Sequence, residues 1–206
     1  MDRFVKGGSV QGGALRGMVY TAILVAMIVL LGMTPIGLIP LGFTNVTILC
    51  VPVLIGTVLI GLKSGLVLGS FFGVMSVLNA FSITKPASAS VALLMAQSPV
   101  LVIVMSMVPR LLVPLVAHIV YTYLVKRMGT ARRALPFAAA AGSLTNTVFY
   151  LGLMVIFYLS TGIDVAPVLT MIATTAVVAG ISEAVVAAVL VTSVTLALTY
   201  STKQGK

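Results

Sequence analysis

Long apolar windows broken by short polar or basic interruptions run the length of the 206 residues. Their spacing predicts helices that cross a bilayer, because a hydrocarbon core about 30 Å thick takes about 20 apolar residues to span. The windows place helices at 14–33, 46–62, 64–80, 134–160 and 166–200. The stretch 91–125 is harder to divide. As one helix it would reach ~52 Å, too long for a single crossing, while two crossings would need a polar turn between them. Charge parity decides the count. If Arg3, Lys6 and Arg16 share a side with the basic loop Lys126–Arg133, an even number of crossings separates them, which one fourth span satisfies. That span is expected at 110–126, entered at Pro109, with Val91–Val108 an outer segment, helical or re-entrant, packed on the bundle rather than crossing it.

Six spans with both termini cytoplasmic follow. Arg3, Lys6, Arg16, Lys63, Lys126, Arg127, Arg132, Arg133, Lys203 and Lys206 then fall inside, and only Lys85 and Arg110 fall at the outer side, as the positive-inside rule asks. The run after Arg3, Lys6 and Arg16 has the flavour of a signal peptide. It lacks a small-residue cleavage site and more spans follow, so it is read as the first helix.

Composition narrows the class. The chain is 60% hydrophobic and 7% charged, with mean hydropathy +1.24, where a soluble domain carries about 25% charged residues. A single all-α membrane domain over 1–206 is expected. The net charge of +9 lies at the ends of apolar segments rather than in a phosphate-binding stripe, which argues against nucleic acid. Cys50 is the one cysteine, so no intramolecular disulfide can form, and no metal-ligand cluster or cofactor motif appears.

Two small-residue patterns stand out. Gly61, Gly65, Gly69 and Gly73 recur every fourth residue, which puts them on one helix face and makes a groove for a close neighbour. Ala22 and Ala26 make an AxxxA pair in the first helix, open as packing or as a docking face.

Polar groups at membrane depth are costly and point to a purpose. Arg110 at the outer mouth of the fourth helix suits a snorkelling cation or a forked donor to a carboxylate or phosphate. Glu183 suits ligand hydroxyls or structural pairing with Arg110 or His118. Asn45, Asn79 and Asn146 recur in the short contexts FTNVT, VLNAF and LTNTV. The outer placing of Asn45, Asn79 and Arg110 favours a polar cavity open to the outside, with Tyr150 one turn from Asn146 on the same face. No nucleophile–base pair, phosphate loop or zinc motif is present, so catalysis is not expected.

These features together resemble the substrate-binding S components of energy-coupling factor (ECF) vitamin transporters, over nearly the whole chain. Small size, six spans, Ala22/Ala26 in helix one and a long first outer loop carry the likeness. Within that family, PIGLIPLGFTNVTILCVPVLIGTVLIGLKSGLVLGSFFG and the Pro109–Arg110 pair are most similar to the pantothenate-type (PanT) members. The chain departs from them at Cys50–Pro52, where a histidine precedes the corresponding stretch.

The resemblance implies a non-catalytic subunit of the bacterial cytoplasmic membrane that binds a vitamin from outside, pantothenate first. The loop Thr34–Thr44 and the segment after Ala80 would act as lids, and the body would topple in the membrane to release its cargo. The implied partners are a transmembrane coupling subunit (EcfT), docked at Ala22 and Ala26, and two ATPase subunits. Arg110 would take the pantothenate carboxylate, and the polar groups at membrane depth add Asn45, Asn79, Asn146, Tyr150 and Glu183 as expected ligand contacts. Alternatives are an S component for cobalamin or pyridoxine, an intramembrane enzyme with Glu183 and His118 as acid and base, and a self-sufficient permease.

Overall fold

In a computed structural model, the chain is described at residues 10–34, 37–40, 45–84, 88–162 and 166–204. Among the described residues, seven α-helices run in the order α1 (Val10–Met33), α2 (Cys50–Leu59), α3 (Leu62–Ala80), α4 (Ala89–Gln97), α5 (Pro99–Met128), α6 (Ala131–Ser160) and α7 (Ala166–Gln204). Between α1 and α2 lie two short strands, β1 (Leu38–Pro40) and β2 (Asn45–Thr47), paired antiparallel with Ile39 opposite Val46. Stretches within α1, α3, α5, α6 and α7 are long and apolar enough to cross a membrane, while α2 is a shorter apolar helix. The architecture is that of an all-α membrane protein of about six helices.

The second predicted span, 46–62, is corrected by the structure. Residues 45–47 are strand and only Cys50–Leu59 is helical, a rod of ~15 Å and half a hydrocarbon thickness. It needs no lipid contact, since every residue from Cys50 to Val58 is buried. It packs against α1, α3, α5, α6 and α7 and forms the axis of the bundle. Pro52 is tolerated because a first-turn N–H has no intrahelical acceptor to lose. The break before α3 is Gly61, whose φ of +126° and ψ of 177° suit glycine alone. Gly61 is thus a turn residue, and the glycine groove proper begins at Gly65.

The fourth span is corrected as well. α5 does not begin at Pro109; it runs unbroken from Pro99 to Met128 with Pro109 and Pro114 inside it. The chain breaks instead at Ser98, and the outer segment shrinks to α4, Ala89–Gln97. A residue preceding proline is pushed toward extended backbone, and Ser98 is extended with φ −160° and ψ 109°. Pro99 then occupies the first helical turn, where its missing N–H costs nothing. At the other end, Gly129 takes the left-handed conformation and its N–H caps Val125 at 3.0 Å.

α5 packs chiefly on α6 and α3, α6 on α7, and α1 on α3. Among the described residues, three apolar clusters fill the interior. The central one is built around α2, with Leu54, Leu68, Phe72, Val113 and Val191 among its members. A second joins α4 to α5 and α6 through Val91, Leu94, Val102, Met105 and Tyr158, and the Tyr158 hydroxyl donates to the Ser90 carbonyl at 2.6 Å. A third closes the opposite end with Val58, Tyr121 and Leu135. Outside, large apolar side chains are broadly exposed, for example Met18 and Leu30 on α1 and Leu159 on α6. Apolar exposure on that scale is natural against lipid and not against water.

Candidate functional site

The glycine groove of α3 exists to admit α5. A methyl group at Gly69 would lie 2.7 Å from the Arg110 carbonyl oxygen, and one at Gly73 would lie 2.6 Å from Met107 Sδ. At Gly65 it would run into Thr57 and the Pro114 ring. The two backbones therefore meet closely at the level of Arg110. Pro114 contributes, since it has no N–H to offer the carbonyl four residues earlier, which is that of Arg110.

Arg110 is buried, which demands compensation for its charge. Nε donates to Ser76 Oγ on α3 at 3.1 Å, and Nη1 donates to the Met105 carbonyl at 3.2 Å. The guanidinium carbon lies 4.5 Å from the Tyr150 ring centre on α6 and 5.4 Å from that of Phe72 on α3. Such cation–π contacts stabilise a desolvated cation by about 2 kcal/mol or more. Among the described residues, Nη2 is the nitrogen left without a protein partner. The side chain is held from three sides and one donor end is free, an arrangement suited to an incoming anion. A snorkelling arginine would reach headgroups rather than sit between two rings.

On α6, Asn146 lies one turn from Tyr150. Asn146 is buried and its Oδ1 has no hydrogen-bond partner, an unusual state for a buried acceptor. Next to it, the Thr147 hydroxyl donates to Glu183 Oε2 at 3.1 Å, and the backbone N–H of Thr47 on β2 donates to Oε1 at 2.8 Å. Glu183 thereby joins α7, α6 and the hairpin. Neither Arg110 nor His118 hydrogen-bonds to it. The His118 Nδ1 is buried and unpartnered.

The sequence-predicted residues divide accordingly. Arg110 and Tyr150 touch, Asn146 adjoins Tyr150, and Glu183 reaches the same stretch of α6 through Thr147. Asn79 is drawn elsewhere, accepting from the Thr84 hydroxyl at the end of α3. Asn45 pairs with Pro40 in the hairpin, and its side chain lies outside the described residues. So do Pro35, Ile36 and the stretch 41–44 of the expected lid, along with Arg3, Lys6, Asp164, Lys85 and Lys206. Ala22 and Ala26 are exposed on α1. Sequence reading missed Phe72, Ser76, Thr47 and Thr147. The two threonines had a signal, since NVT and NT place them two and one residues after asparagines already singled out; Phe72 and Ser76 lie in α3 beside and three residues after Gly73, and nothing in their spacing marked them.

These helices and this buried polar constellation define a multi-pass membrane protein with charged and amide groups gathered inside its bundle. Residues 16–195 match the family described as the ECF transporter, substrate-specific component. The chain belongs to that family. It is a substrate-specific subunit of an ECF transporter, a multi-pass protein of the cytoplasmic membrane. Its family works with a coupling subunit and ATPase module on a small-molecule substrate, as transport subunits and not catalysts. No curated protein matches the chain.

Proposed function

We propose that the substrate is a small carboxylate carrying hydroxyl or amide donors, with pantothenate as the specific ligand, bound between α3, α5, α6 and α7. The observation that carries this reading is the pairing of opposites: Arg110 with a free donor end, and Asn146 Oδ1 buried without a donor. Pantothenate offers both complements, a carboxylate for the guanidinium and hydroxyl and amide hydrogens for the asparagine. Tyr150 covers the arginine, and Glu183 stands ready as a further acceptor for a ligand hydroxyl. The resemblance to pantothenate-type S components supports the same choice.

On this reading the subunit takes pantothenate from the outside, with the β1–β2 hairpin and α4 over the site. Toppling in the membrane then exposes the site to the cytoplasm, and ATP hydrolysis in the two partner ATPases, transmitted by EcfT, restores it. Calorimetry on the purified subunit tests the ligand. Pantothenate is expected to bind without any partner subunit, and Arg110→Ala is expected to cost about 1.5–3 kcal/mol of that affinity. Binding of cobalamin or pyridoxine in its place would leave the family and change the vitamin. Unaltered pantothenate affinity in Arg110→Ala would remove the arginine from the site.

A further inference from the structure

A proline inside a helix removes one N–H, and the carbonyl four residues earlier loses its partner. For Pro109 that carbonyl belongs to Met105. It is not left empty, because the Nη1 of Arg110 donates to it at 3.2 Å. Side chains on a helix point back toward its N-terminus, so an arginine directly after the proline is well placed to reach the vacated acceptor. Both residues are buried, so water is a poor substitute for either group. The proline thus creates the acceptor that fixes one end of the guanidinium. Ser76 fixes the Nε edge at 3.1 Å, and Tyr150 and Phe72 fix its plane. With Nε and one Nη1 hydrogen committed, the ligand-facing end is the one carrying Nη2.

We propose that Pro109 is a positioning residue for ligand recognition. By withholding its N–H from the Met105 carbonyl, it orients Arg110 so that the Nη2 end is presented to a carboxylate. The proposal rests on Arg110 as the anion-binding group and holds for any carboxylate ligand. Pro114, five residues on, serves as a contrast. The carbonyl it vacates is that of Arg110 itself, which faces Gly69 rather than a side-chain donor.

The test compares Pro109→Ala, Arg110→Lys and the double variant, using pantothenate and its neutral alcohol analogue pantothenol as probes. Alanine returns the N–H to the Met105 carbonyl and favours the helix, so the variant is expected to fold. Pro109→Ala is expected to lower the preference for the acid over the alcohol by roughly tenfold, the scale of one charge-assisted hydrogen bond. In the Arg110→Lys background it is expected to change nothing more, since the coupling acts through the guanidinium. Equal loss of acid and alcohol binding, or full additivity with Arg110→Lys, would overturn the proposal. A ligand-free measurement separates it from the choice of vitamin. Nitrogen-15 spectra of the guanidinium groups, with Arg110 assigned by Arg110→Lys, are expected to show slow rotation in the parent protein and faster rotation in Pro109→Ala. Unchanged rotation overturns the positioning role. If rotation changes while the parent protein binds neither probe, the positioning role stands and pantothenate is the wrong ligand.

Discussion

At the scale of the residue, the informative atom is one that lacks something. Asn146 Oδ1 is buried between helices with no donor, a condition that costs about 1–3 kcal/mol. On the proposed reading, a ligand N–H or O–H would remove that cost and the asparagine would turn a stability penalty into affinity. Asn146→Leu separates the two effects, because leucine has nearly the same shape and no orphaned acceptor. The thermal midpoint of the ligand-free protein is expected to hold or rise, while calorimetric affinity falls by roughly tenfold or more. A variant that binds as tightly as the parent would show that the amide serves helix packing alone. Arg110 reads the other way: nearly every surface of it is engaged, and its free nitrogen is the exception.

At the scale of the element, the site depends on how closely α3 and α5 approach. Gly69 and Gly152 make a matched pair, both helical and both glycine. A Cβ at Gly69 meets the Arg110 carbonyl oxygen at 2.7 Å, which is backbone and cannot swing aside, whereas at Gly152 nothing lies within 4 Å. Gly69→Ala is therefore expected to destabilise by about 1–3 kcal/mol through overpacking and to weaken binding by shifting Arg110. Gly152→Ala is expected to stabilise by about 0.5–1 kcal/mol, because alanine loses less backbone freedom in a helix. Thermal unfolding in detergent checks both signs. The hairpin–α7 connection belongs to this scale too. The Thr47 N–H on Glu183 at 2.8 Å couples a strand between the first two helices to the last helix, 136 positions on in the chain.

At the scale of the whole molecule, α1 is bound on one side and bare on the other. Ile28 is fully buried, Thr21 reaches Ser64 at 3.1 Å, and Ala22, Ala26, Met18 and Leu30 are exposed. Two exposed alanines four residues apart let a partner helix approach closely. The double variant Ala22→Leu/Ala26→Leu is expected to keep the subunit's own ligand affinity while abolishing uptake by vesicles that hold the full transporter. Uptake at the parental rate would place the coupling interface elsewhere on the body.

Hydrophobic periodicity by itself determined the membrane class, the helices near 14–33, 64–80, 134–160 and 166–200, and the identities of Arg110, Asn146, Tyr150 and Glu183 as polar groups needing a reason. Those are local properties, since burying a charge or crossing a bilayer is costly whatever the neighbours. The tertiary structure alone decided that Cys50–Leu59 is a short central helix, because an apolar run reads the same whether lipid or protein surrounds it. It also decided that α5 passes through Pro109, since the donor that replaces the missing N–H is a side chain whose reach no spacing encodes. The contacts of Phe72 and Ser76 with Arg110, and of Thr47 and Thr147 with Glu183, escaped the sequence for the same reason: each partner is distant in the chain, and only packing brings them together.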